Sequence, residues 1–155
     1  MALRYRTEAI NTGGGDATSR IIDGMEVSVS SPLGANPDPD DTNPEQLLAL
    51  AWATCLNSTA QAIVERQRRT AVRVEVELHS VESGVGYEFH VDAYLSAEGA
   101  TPEETAELLA SADARCPVSK LLADSATARV HPEPYSEALA APAGACAVGA
   151  RPAVG

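Results

Sequence analysis

The chain has 155 residues, 45 % of them apolar and 21 % charged, which is the make-up of one soluble globular unit. Its net charge of −11 repels a phosphate backbone and an anionic bilayer, so neither nucleic acid nor a membrane surface is expected as a partner. Three cysteines, an odd and sparse set, argue against a secreted disulfide scaffold; they leave core residues, metal ligands or catalytic thiols.

The start, MALRYRTEAI, carries no apolar signal-type run, and a cytoplasmic location is expected. Residues 3–12 and 20–31 read as strands. In the second, Met25, Val27 and Val29 alternate with Glu26, Ser28 and Ser30, a half-buried pattern. Thr12-Gly13-Gly14-Gly15-Asp16 and Asp23-Gly24 are predicted turns, and 32–41 a loop rich in Pro, Asp and Gly.

A long helix is predicted from about Thr42 to Arg68. Thr42 and Glu45 have the spacing of a capping box, and Pro44 suits a first turn. Leu47, Leu48, Leu50, Trp52, Cys55, Leu56, Ile63 and Val64 make it apolar on nearly every side, as in a central helix. One short chain has few elements to cover it, so a second chain is expected. Its polar residues, among them Asn57, Ser58 and Gln61, make it a buried helix and not a membrane span.

A hairpin follows. Val72, Val74, Val76 and Leu78 share one face, and Phe89, Val91, Ala93 and Leu95 repeat the pattern. A two-residue turn at Gly84-Val85 would place His79 opposite His90. A helix begins at Thr101-Pro102-Glu103-Glu104 and runs to about Arg115. A short helical piece follows Pro117, and Ala126 to His131 forms a last strand. The whole is α+β with antiparallel sheets. Residues 1–131 are taken as one domain and 132–155, rich in Pro, Ala and Gly, as a poorly ordered tail holding Cys146.

Cys55, in mid-helix, is either a small packed hydrophobe or a nucleophile. Burial alone raises a thiol pKa, so a nucleophilic role requires a nearby positive charge. Cys116 precedes Pro117, a residue suited to open a helix, and backbone N–H groups at such a start favour a thiolate. Together the two sulfurs suggest peroxide chemistry: one becomes a sulfenic acid, the other condenses with it, and an external dithiol resets the pair. No zinc site is expected, since the cysteines and His79, His90 and His131 lack ligand spacing. No histidine is tied to Cys55 by pattern, which disfavours a Cys–His hydrolase. Trp52 is either core or a pocket wall.

Thr42-Asn43-Pro44-Glu45-Gln46-Leu47 followed by Ala53-Thr54-Cys55 resembles the peroxidatic-cysteine signature of OsmC/Ohr proteins. Cys116-Pro117-Val118-Ser119-Lys120 resembles the family's resolving-cysteine motif, and the Thr12-Gly13-Gly14 and Asp23-Gly24 turns are similar too. The likeness covers roughly residues 5–131. It implies an intertwined homodimer whose sheets wrap long central helices. It also implies a peroxidase for organic hydroperoxides and hydrogen peroxide, with a lipoyl-type dithiol or lipoylated protein as reductant and no bound cofactor or metal. Glu45 matches the family glutamate that orients an arginine over the thiolate; the competing reading is the capping box, worth about 1 kcal/mol. Ten helical residues span about 15 Å, so Glu45 is expected to serve the partner's thiol unless the helix breaks early. The family arginine follows the Thr-Gly-Gly turn, where this chain has Gly15. Arg20 is the first substitute, ahead of Arg4, Arg6 and Arg115. A rival reading is a non-enzymatic member that binds an apolar ligand or a partner.

Overall fold

In the computed structural model, residues 1–137 are described; Cys146 and the rest of the tail lie outside them. Six strands and three α-helices follow one another as β1 (Ala9–Asn11), β2 (Ala17–Ile21), β3 (Glu26–Val29), α1 (Pro44–Ile63), β4 (Thr70–Ser80), β5 (Tyr87–Ala97), α2 (Pro102–Arg115), α3 (Pro117–Leu122) and β6 (Ala128–Pro132). The chain divides into two compact units: Met1–Leu50 with Val76–Phe89, and Ala51–Glu75 with His90–Gly155.

In the first unit β1, β2 and β3 form an antiparallel sheet, with Asn11 opposite Ser19 and Arg20 opposite both Ile10 and Glu26. Asn11 holds the β1–β2 turn: its Nδ2 donates to the Gly14 carbonyl (3.0 Å), and its Oδ1 accepts from the Gly14 N–H (2.7 Å). The Asp23-Gly24 turn forms as expected, with Asp23 left-handed at φ 59. The expected strand 3–12 keeps only Ala9–Asn11, and the expected strand 20–31 is divided by the Asp23-Gly24 turn into β2, which starts earlier at Ala17, and β3. Past β3, Ser30 N–H donates to the Thr42 carbonyl (2.9 Å) and Thr42 N–H to the Ser28 carbonyl (3.0 Å), which fixes where α1 begins.

The cap of α1 differs from the expectation. Asn43 Oδ1 accepts from Gln46 N–H (2.8 Å), and Thr42 Oγ1 donates to Gln46 Oε1 (3.1 Å). Asn43 therefore caps the helix, and Glu45 takes no part. The helix ends at Ile63 instead of Arg68 because Glu65 and Arg66 are both left-handed. Gln61 Nε2 secures the turn by donating to the Arg68 carbonyl (3.1 Å) and to Thr70 Oγ1 (2.6 Å). In the single chain only the stripe Trp52, Leu56, Ala60 is fully buried on α1, while Leu50 is 63 % exposed.

The second unit has a true core. Trp52, Leu56 and Ala60 of α1 join Val91, Ala93, Leu95 and Ala97 of β5, Leu109 and Ala112 of α2, and Cys116. The complete capping box at Thr101 and Glu104 starts α2 as the sequence foretells. The chain then returns through α3 so that β6 pairs with β5 in parallel, Val91 opposite Ala128 and Tyr94 opposite His131. A helical crossover permits this where a tight turn would not, so this sheet is not wholly antiparallel. Beyond β6, Glu133 N–H bonds the Leu95 carbonyl (2.9 Å) and its carboxylate pairs with Arg73 (3.0 Å). The β4–β5 turn is wider than two residues: Val81 N–H reaches the Gly86 carbonyl (3.3 Å), with Gly84 and Gly86 at positive φ. His79 pairs along its own strand with Glu77 (2.7 Å). Among the described residues no helix is long and apolar enough to cross a membrane.

Candidate active site

Cys55 sits on α1 three residues after Trp52, one turn along the same side. Cys116 ends α2 and caps α3: its N–H bonds the Ala112 carbonyl (2.8 Å) and its carbonyl accepts from Lys120 N–H (3.0 Å). Its side chain is fully buried, whereas Cys55 is half-buried, and both are free thiols. Pro117 takes the first position of α3, as its fixed φ and missing N–H favour.

These elements bring the two sulfurs together. Burial pushes the Cys55 thiol above its ordinary value. The Val118 N–H, bonded to the sulfur, pulls it down. The Cys116 thiol then pushes it up again, by a hydrogen bond and by charge. Among the described residues, none of the groups acting on Cys55 is cationic. The N–H that the sequence places near Cys116 is directed instead at Cys55, a consequence of α3 starting beside α1.

Glu45 lies on the first turn of α1. Freed from capping, its Oε2 is buried and has no hydrogen-bond partner among the described residues. α1 is unbroken from Pro44 to Ile63, which removes the early helix break as a way for Glu45 to reach its own Cys55. Arg20 is exposed on β2 and does not satisfy Glu45 Oε2. Gly15 stands in a 3₁₀ turn, Gly14–Asp16, where an added Cβ would meet Ser31 Cβ at 3.3 Å. Arg6 pairs with Glu8 at the surface (3.1 Å), and Arg115 is exposed. Among the described residues no cluster of three His, Cys, Asp or Glu side chains is placed to hold a metal.

Two contributors escaped the sequence reading. One is the Val118 N–H, a backbone group that no residue type announces. The other is a buried hydrogen bond from Trp52 Nε1 to Ser119 Oγ (2.9 Å). Its signal was present as matched spacing: Trp52 lies three residues before Cys55, and Ser119 three after Cys116.

An α+β frame that sets a half-buried thiol on a long helix against a buried thiol at a proline-started helix defines a two-cysteine protein. The chain belongs to the OsmC-like protein family, whose pattern matches residues 37–131. It is 30 % identical over 129 residues to an organic hydroperoxide resistance protein-like protein of Mycoplasma pneumoniae, covering 79 % of this chain and 89 % of the other. Against the organic hydroperoxide resistance protein OhrA of Bacillus subtilis the identity is 35 % over 82 residues, 51 % of this chain and 58 % of the relative. The crystal structure of an organic hydroperoxide resistance protein from Elizabethkingia anophelis superposes with a TM-score of 0.76 at 25 % identity, covering 87 % of this chain and all of that one.

Proposed function

We propose that this protein reduces organic hydroperoxides, and also hydrogen peroxide, to alcohols or water with Cys55 as nucleophile and Cys116 as resolving thiol. The observation that carries the reading is the apposition of the two sulfurs, with the Val118 N–H on the one that would ionise. The Cys55 thiolate attacks the terminal oxygen of ROOH; an S–O bond forms, the O–O bond breaks, and RO⁻ leaves, taking up the proton the thiol released. Cys116 then attacks the sulfenic sulfur, a disulfide forms and water leaves. An external dithiol, lipoyl-type or carried on a lipoylated protein, takes the oxidation by exchange. These steps suit a reducing compartment such as the cytoplasm, and neither a bound cofactor nor a metal enters them.

Glu45 supports the second half of the reading. A buried carboxylate oxygen with no partner calls for an explanation, and a cation supplied on homodimer formation gives one. The exposed Leu50, Met25 and Leu33 are the apolar cover such a homodimer would use. Arg20 is the first candidate for the cation. Losing one charge-assisted hydrogen bond would slow the thiolate about ten- to hundredfold.

The raised Cys55 thiol and the absence of a cation among the groups acting on it favour a second reading, in which the fold is kept for binding an apolar ligand or a partner. One experiment separates them. Reduced protein receives one equivalent of tert-butyl hydroperoxide, and thiols are mapped by mass spectrometry. A Cys55–Cys116 disulfide, lost in Cys55→Ser, is the expected result. Unchanged thiols with no dithiol-dependent peroxide consumption would establish the binder.

A further inference from the structure

Besides the sulfur pair and the Val118 N–H on Cys55, α3 meets α1 through the Trp52–Ser119 hydrogen bond, one turn away on each helix. Both its partners are sealed from water, Trp52 at 1 % and Ser119 at 6 % exposure. α3 has only six residues, too few for a helix to hold a fixed place by its own backbone bonds. A cleft of about 170 Å³, lined among others by Trp52, Ser119, Asp113 and Leu122, lies beside the bond. A buried indole N–H is costly to leave unpaired, so this bond has a strong preference for one position of Ser119.

We propose that the Trp52–Ser119 hydrogen bond positions α3, and with it Cys116 and the Val118 N–H, so that the resolving sulfur waits at Cys55 while the sulfenic acid is still short-lived. The proposal rests on the assignment of Cys55 and Cys116 as attacking and resolving thiols. Trp52 and Ser119 act through α3 as positioning residues. Effective concentration is the quantity at stake, since a thiol held in place reacts far faster than one that must be found. A slack α3 would leave the sulfenic acid open to a second peroxide, which carries it to sulfinic acid.

The test uses the full chain and three variants. Ser119→Ala leaves the indole unpaired, Trp52→Phe removes the donor, and Ser119→Thr keeps an acceptor hydroxyl. With one equivalent of tert-butyl hydroperoxide, Ser119→Ala is expected to form the disulfide roughly tenfold more slowly. More Cys55 should be trapped by dimedone, and with excess peroxide more should end as sulfinic acid; Ser119→Thr should restore the wild-type rate. Should Ser119→Ala fold poorly, Trp52→Phe gives the same readings. Wild-type disulfide rates in both variants would overturn the proposal. A separate measurement without peroxide, the equilibrium of the Cys55–Cys116 pair in glutathione redox buffers, keeps the two ideas apart. A roughly tenfold lower effective concentration in Ser119→Ala supports the positioning role even if the protein consumes no peroxide.

Discussion

The second unit supplies every fully buried apolar side chain among the described residues except Val29, and both described cysteines belong to it. The first unit holds Arg20 and Glu45, from which charge was expected, and Gly15, which stands in the place of the family arginine; it leaves Ile10, Ile22, Met25 and Leu33 at least 40 % exposed. The two thiols thus lie on a core that one chain completes, whereas the residues of expected charge lie in a unit whose apolar side chains one chain leaves bare. The contrast teaches that, under the proposed function, the sulfurs would need no second chain while the charged half would.

The largest effect should come from the complete half. Cys55→Ser should bring peroxide consumption down to the buffer rate, measured by loss of tert-butyl hydroperoxide with a dithiol reductant; residual turnover above that would show another nucleophile. Next comes the bare half. Leu50→Glu puts a charge into the expected contact and should convert the protein to monomer mass in sedimentation, with faster amide exchange across β1–β3. An unchanged mass would mean the first unit needs no cover, and the contrast would fail. A milder effect is expected when charge is returned: Gly15→Arg should speed Cys55 oxidation by about tenfold, the value of one charge-assisted bond, once Ser31 yields a few tenths of an ångström. No gain would show that a missing cation is not what limits the thiol. Smaller still, Cys116→Ala removes two influences that raise the Cys55 thiol, so its alkylation by iodoacetamide should begin at lower pH than in wild type. A shift to higher pH would contradict the arrangement of the two sulfurs. Last, Asn43→Ala should cost about 1 kcal/mol in urea unfolding and Thr42→Ala less, which checks the reassigned cap.

The sulfur half was legible in the sequence and the charge half was not, for physical reasons. Cys55 and Cys116 sit in motifs whose local structure follows from their own residues: an apolar helix, then a proline that stops one helix and opens the next. The capping box at Thr101 was readable for the same reason. Asn43 was misread because Thr42 and Asn43 are both good caps, and the choice fell to backbone bonds from Ser28 and Ser30, distant in sequence. The parallel pairing of β6 depends on where α2 and α3 deliver the chain, which no periodicity within β6 encodes. The early end of α1 at Glu65 and Arg66 was invisible because neither residue type favours a left-handed turn. Glu45 is the instructive case: its type and position fitted two roles, and only the identity of the cap decided against one.

Trp52 is the sole tryptophan of the chain, and its indole is both dry and committed to a residue on the helix that Cys116 caps. The protein therefore carries an intrinsic optical gauge beside its paired thiols. Any change that slackens or lengthens that bond will alter near-ultraviolet emission without an added dye, so the proposed cycle, if it runs, would report itself in unlabelled protein.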